Sequence, residues 1–494
     1  MNWSQGGSDA NRPTMMPSPV AAMVADAREA LGDRIVTTDA DRIAPWLTDW
    51  RGRYHGQSAA LFEPSATEQV AQLIALAARH GVPIVPQGGN TSLVGGATPP
   101  ADGAAVLLSL RRMDRLRRID PGQAVVEAGV ILQNLHEAAA ETRQRFPLTL
   151  GARGSATIGG LVSTNAGGTQ VLRWGNMRRL VLGVEAVLPD GSVHDGLAAL
   201  PKDNRGYDLT QLLVGAEGTL GIVTAATLRL APAIAERAVA WAGIADPQAG
   251  LDLLRTMQAA TDRIESFEII PAGTLALAVA HVPGARAPLA SDHPWQLLIE
   301  AVAGPGESPP APLLETLLAD GYAAGLIGDA VIAGSEAQAE AFWRLRDSLS
   351  AAEKSTGPAV QHDISVPVDT MPRFMIEAAA AAEARFPGTH ATAFGHLGDG
   401  NVHFHVRAPT GADPARWYAQ DAPMVTRFVH DAVTAAGGSI SAEHGIGQMK
   451  RDELERLGPP ARLAALRGIK AGLDPLGLFN PGKLVSLAPR ATSP

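Results

Sequence analysis

The chain has 494 residues, 46% of them hydrophobic and 18% charged. That is long enough for two or three domains, because one core rarely grows beyond ~250–300 residues. The net charge of −9 argues against nucleic acid as the main partner, which favours a basic face. Cysteine is absent, which excludes disulfides, zinc-thiolate sites, iron–sulfur clusters and any cysteinyl-linked cofactor.

The N-terminal "MNWSQGGSDANRPTMMPSPV" has neither the basic nor the apolar region of a secretory signal. Residues 1–25 read as a loose tail and the expected location is cytoplasmic. Ser65 and Glu68 are spaced as a capping box. Val70, Leu73, Ile74 and Ala77 then make one helical face that Gly81 ends. Strands follow at 82–86, 105–110 and 124–130, then a helix over 131–146. Residues 181–194 read as strand, Asp190-Gly191 turn and strand. A last strand closes the unit near 232, so 26–232 is one α+β or α/β domain. From 233 the texture changes to an alanine-rich helix at 246–260, a loop at 306–315 and strands at 296–304 and 363–369. This is a second α/β domain over 233–435, followed by a segment over 436–494. The uncharged run 269–285 contains Pro271, Gly273, His281 and Pro283. It is shorter than the ~20 apolar residues of a membrane helix.

Three glycine clusters stand out: "PQGGNTSLVGG" (86–96), "LGARGSATIGGLVSTNAGG" (150–168) and "GAEGTLGIVT" (215–224). Glycine admits a ligand close to the backbone, and successive N–H groups form concave anion sites. Thr91, Ser92 and Ser155 add hydroxyl donors. A single glycine-rich loop is usually a tight turn; three in one half of the chain point to a large phosphate-bearing cofactor. None has the G-x-G-x-x-G or P-loop pattern.

The stretch "FGHLGDGNVHFHV" (394–406) holds three of only 13 histidines. Read as a hairpin with the loop Gly398–Asn401, it sets His396 opposite His403 and Phe394 opposite His405. The pair His396 and His403 then shares one sheet face and can share one ion. The competing reading is a pair of hydrogen-bonded core histidines.

In this order, the three clusters resemble the flavin-binding domain of the vanillyl-alcohol-oxidase superfamily. "GHLGDGNVH", "AEHGIG" and "FNPGKL" resemble its FAD-linked D-2-hydroxyacid dehydrogenases: D-2-hydroxyglutarate dehydrogenases first, then D-lactate dehydrogenases and glycolate oxidase subunits. The likeness covers about residues 40–485. It implies an α+β fold: a two-subdomain FAD-binding domain, an α/β substrate (cap) domain and a C-terminal helical segment returning to the flavin. It implies FAD held by Pro86, Gly88, Gly89, Asn90, Thr91, Ser92, Gly151, Ser155, Ile158, Gly159, Gly160, Thr164, Gly167, Gly168, Glu217, Gly218, Gly221 and Ile222, with Asn480 near the ring. It implies a divalent metal on His396, His403 and Glu443, with zinc preferred over manganese or iron. His444 matches the catalytic base, and Arg346 and Ser350 match substrate-binding positions. Two substrate positions depart from the hydroxyglutarate pattern: Gln361 replaces a typical lysine, and His405 a typical asparagine. A protonated His405 would restore some of the lost charge, or His405 would add a metal ligand.

The expected reaction is oxidation of a D-2-hydroxy acid to the 2-oxo acid, D-2-hydroxyglutarate foremost, with D-lactate, glycolate or another such acid as the alternative. Electrons then leave to an electron-transfer flavoprotein, a quinone or a dye. A homodimer is expected, with no nucleic acid and no membrane span. Rival readings are a non-redox FAD transferase of the alkylglycerone-phosphate synthase type and a non-enzymatic binding protein.

Overall fold

The computed structural model describes residues 18–487. Part of the expected tail is ordered: Pro19–Leu31 is a helix capped by Ser18, with Met23, Val24 and Ala27 buried. Those apolar side chains, spaced along one face, need a core to cover them, and the rest of the expected tail (1–17) lies outside the described residues. The helix Thr67–His80 forms as read and ends at Gly81 in the left-handed region (φ 64°). The capping box does not form. Ala66 is the N-cap, and the Ser65 N–H donates instead to Gln69 Oε1 at 2.8 Å.

The first unit has two principal sheets. One orders Val36–Thr37, Leu61–Phe62, Val106–Ser109 and Ile84–Gln87. The other orders Leu116–Asp120, Gln123–Glu127, Ile222–Arg229, Val181–Val187 and Val193–Asp195. The strand Leu116–Asp120 was missed because it carries two arginines and little buried surface. The helix expected over 131–146 ends at Glu141, and Gln144–Arg145 pairs with Ala231–Pro232.

The second unit is built on a seven-stranded sheet, from Asp329–Ile332 at one edge to Ala359–Ser365 at the other. Every pairing in it is antiparallel. The presumed loop at 306–315 runs into the helix Pro310–Ala323, which proline can start because its missing N–H is unused there. The helix Glu336–Ser355 is capped by Ser335 and buries Ala339, Phe342, Leu345, Leu349 and Ala352 along one stripe.

The histidine hairpin forms with a shifted register. His390–His396 pairs with Asn401–Arg407 so that His396 faces Asn401, Phe394 faces His403 and Thr392 faces His405. The Leu397 N–H is taken by Phe267 O of the neighbouring strand, so Leu397 belongs to the turn. A slip of two residues leaves the faces unchanged. His396 and His403 therefore remain on one face as diagonal neighbours, ring centroids 5.4 Å apart.

The last segment ties the units together. Phe479 bridges to Ile84, and Asn480 N donates to Ile84 O. Glu265 of the cap is buried and receives Arg145, Arg173 and Trp174 from the first unit. No described helix is long and apolar enough to cross a membrane.

Phe404 is fully buried on the hairpin and packs against Phe374 and His362. Phe404→Ala is expected to cost ~3–5 kcal/mol of stability, read as a lowered urea midpoint.

Candidate active site

The glycine clusters come together around one cavity of about 800 Å³ that continues to the histidine hairpin. At its floor the loops touch backbone to backbone. A Cβ on Gly89 would lie 2.0 Å from Ser155 O, and one on Gly88 2.2 Å from Thr157 Oγ1. Glycine is required there because the two loops leave no room for a side chain. Asn90 and Glu217 adopt positive φ (55° and 51°) to turn the chain beside them. Thr157 Oγ1 and Asn480 Oδ1 are buried at this wall without a hydrogen-bond partner. Such orphaned groups fit a polar cofactor that fills the slot.

Pro86, Gly88, Gly89, Asn90, Thr91, Ser92, Gly151, Ser155, Gly159, Gly160, Thr164, Gly167, Glu217, Gly218, Gly221, Ile222 and Asn480 all line the cavity. Ile158 and Gly168 do not. Ile158 is fully buried in the core, and a Cβ on Gly168 would strike Thr149 O at 2.2 Å. Both pack the loop rather than present it. Glu217 does more than line the wall: its carboxylate accepts the N–H groups of Ile446 and Gly447, each at 2.7 Å. Asn480 donates to Glu217 O and Gly96 O. The third cluster and the C-terminal segment thus fasten the same corner.

At the far end His396, His403 and Glu443 place ligand atoms within 4.8 Å of one another. Burial alone would strip His403 of its proton, and His396 and Arg346 nearby push it further down, so its ring is neutral. Burial also lowers His396, but Glu268 outweighs it and raises the ring to about 9. Glu268 Oε1 lies 2.6 Å from His396 Nδ1, so Nε2 is the atom an ion would take, in place of its proton and of Arg346 Nη2 at 3.2 Å. A carboxylate behind a histidine in this way fixes the ring and raises its basicity as a ligand. Burial drives Glu443 up to about 7; His396 opposes the rise, and Asp363 and Asp399 add to it. A carboxylate so short of positive charge fits a divalent cation between it and the two rings.

His444 is neutral at pH 7. Burial pushes it down to about 4, against the pull of Asp363. Asp363 Oδ2 accepts the N–H groups of both Glu443 and His444 at 2.9 Å and lies 3.6 Å from His444 Nδ1. Its other oxygen accepts from Asn401 Nδ2 at 3.1 Å.

Ser350, Gln361, His403, His405, Glu443 and His444 line the cavity, whereas Arg346 and His396 stand behind its wall. Arg346 Nε donates to Glu268 Oε2 at 2.8 Å, and its Nη2 lies 3.2 Å from His396 Nε2. His405 differs from expectation. Burial, with Arg51 and Lys354 nearby, pushes it down to about 3, so it carries no charge to replace the missing lysine. It also falls outside the groups that converge on a common ion position. Asp363, Glu268, Arg51 and Lys354 were missed. Asp363 opens the strand read at 363–369, but nothing in a strand pattern marks which residue will meet a loop eighty positions on.

Residues 58–196 match the FAD binding domain family and residues 234–484 the C-terminal domain of FAD linked oxidases. The chain is 35% identical over 463 residues to a mitochondrial D-2-hydroxyglutarate dehydrogenase of Arabidopsis thaliana, covering 93% of this chain and 80% of that protein. It is 36% identical over 456 residues to the D-2-hydroxyglutarate dehydrogenase of Xanthomonas citri pv. viticola, covering 91% and 94%. The fold is shared with p-cresol methylhydroxylase at a TM-score of 0.73 and 17% identity, covering 95% of this chain and 98% of that one. The chain belongs to the FAD-linked D-2-hydroxyacid dehydrogenases of the vanillyl-alcohol-oxidase superfamily. It is an FAD-dependent oxidoreductase.

Asp363→Ala would leave two backbone N–H groups of the Glu443–His444 loop unpaired. Amide exchange at 443–444 is expected to accelerate about tenfold or more, read by hydrogen-exchange mass spectrometry. Unchanged protection there would show that Asp363 does not hold the loop.

Proposed function

We propose that this enzyme oxidises D-2-hydroxyglutarate to 2-oxoglutarate, using FAD and one divalent metal, zinc foremost, on His396, His403 and Glu443. The observation that carries the reading is the placing of a neutral His444 beside this ligand cluster, at the end of a cavity walled by the glycine loops. When bound, FAD supplies the hydride acceptor and the metal a Lewis acid toward the substrate hydroxyl. His444 takes the hydroxyl proton. Asp363 lies on the Nδ1 side of the ring, which leaves Nε2 for the substrate, and a neutral imidazole is the form a base needs. The Asp363 carboxylate steadies the imidazolium that results. Ser350, on the cavity wall, meets the carboxylate next to the reacting carbon, and Arg346, one helical turn before it on Glu336–Ser355 and just behind the wall, supplies the positive charge that attracts it. Glu268 keeps Arg346 and His396 in place. Electrons leave to an external acceptor such as an electron-transfer flavoprotein or a quinone.

The second reading, D-lactate or another D-2-hydroxy monocarboxylate, is favoured by one observation: Gln361 and His405 line the cavity and both are neutral.

The purified protein is expected to show a flavin band near about 450 nm that D-2-hydroxyglutarate bleaches anaerobically while the L-enantiomer does not. A band that no D-2-hydroxy acid bleaches would remove the dehydrogenase assignment. His444→Ala should slow bleaching by about 10²–10⁴-fold and keep the flavin bound; a wild-type rate would exclude His444 as the base. Chelation should abolish bleaching and leave the yellow colour. Activity persisting after elemental analysis finds no metal would exclude the metal role.

A further inference from the structure

We propose that Arg51 and Lys354 form the specificity end of the substrate site and bind the second carboxylate of a D-2-hydroxy dicarboxylate. This rests on the reading that the cavity oxidises a D-2-hydroxy acid, and it assigns the charge that Gln361, standing where a lysine is typical, does not supply.

Both cations line the cavity and reach it from separate elements. Lys354 follows Ser350 by one helical turn, so Asp347, Ser350, Ala351 and Lys354 present one face of the helix to the cavity. Arg51 comes from the first unit, in a turn organised by the buried Asp49. That carboxylate accepts the N–H groups of Arg51 at 3.1 Å and of Arg53 and Tyr54 at 2.6 Å. A bridge between Thr48 and His55 closes the turn. The loop is therefore shaped before any ligand arrives, which lowers the entropic cost of using Arg51.

Among the described residues neither cation forms an ion pair. Arg51 Nε is buried without a hydrogen-bond partner, and so is His405 Nδ1. By contrast, Arg145 and Arg173 of the first unit share Glu265 of the cap. Two unmatched cations on one cavity repel each other, and a carboxylate between them is attracted to both.

Like His405, both cations line the cavity. His405 lies two residues along the strand from the proposed ligand His403, about 7 Å. A carboxylate two methylenes beyond the reacting carbon reaches across that gap. A monocarboxylate would leave both cations unpaired.

The test compares holoenzyme reduction by D-2-hydroxyglutarate and by D-lactate in the wild type, Arg51→Met, Lys354→Met and the conservative Arg51→Lys. Retention of the flavin band checks folding. The expected result is a fall of about tenfold or more in the kcat/KM ratio of the dicarboxylate over the monocarboxylate in each Met variant, through KM, with partial recovery in Arg51→Lys. An unchanged ratio, or equal losses on both acids, overturns the assignment. Should neither acid reduce the flavin, the function proposed above fails separately. The two cations are then tested by titrating the oxidised holoenzyme with 2-oxoglutarate and with pyruvate and reading the shift of the flavin band. A preference for the dicarboxylate that the Met variants abolish supports the assignment, and the absence of such a preference overturns it.

Discussion

The site depends on one buried carboxylate. Asp363 is 3% exposed, and its two oxygens organise two pieces of chain: the hairpin through Asn401 and the 443–444 loop through the amides of Glu443 and His444. Burial would drive such a group to hold its proton. The positive charge of Lys450 and the N–H groups donated by Glu443 and His444 outweigh that and hold it well below the usual carboxylate range. An ionised Asp363 is therefore part of the native state, because each of its donors would otherwise lose a charge-assisted bond. The loop "AEHG" is placed by an edge strand of the cap rather than by its own sequence neighbours.

A second buried acid performs the matching task from the other unit. Glu217 takes the next two amides of the same loop, Ile446 and Gly447, while burial raises its own pKa. The loop thus lies between two carboxylates, one from the cap sheet and one from the third glycine cluster. Cofactor slot and proposed base share a wall for that reason. Glu268 adds a third buried acid behind Arg346 and His396. These three acids set the geometry of the site, and each is almost wholly withdrawn from water.

Local signals were most legible where one principle dominated. The helix Thr67–His80 and its stop at Gly81 follow from apolar spacing and the left-handed cap. The capping box failed because Gln69 competed for the Ser65 amide. The hairpin was placed two residues out of register, since the turn is decided by Phe267 on a neighbouring strand. Its histidines still share a face, because side-chain orientation repeats every second residue. His405 kept its place in the cavity but not its expected charge, because desolvation overrides the intrinsic imidazole pKa.

By itself the sequence determined the cofactor class, through three glycine clusters that leave backbone bare, and the chemical kind of the site, through histidines around a tight turn. It also ruled out every thiol-based alternative. What only the tertiary structure decided is which distant groups meet. Asp363 with residue 444, Glu217 with residue 447, and Arg51 with Lys354 are brought to one place by strand pairing and domain packing. Burial then sets which of these groups are charged, and neither proximity nor desolvation is encoded in local residue spacing.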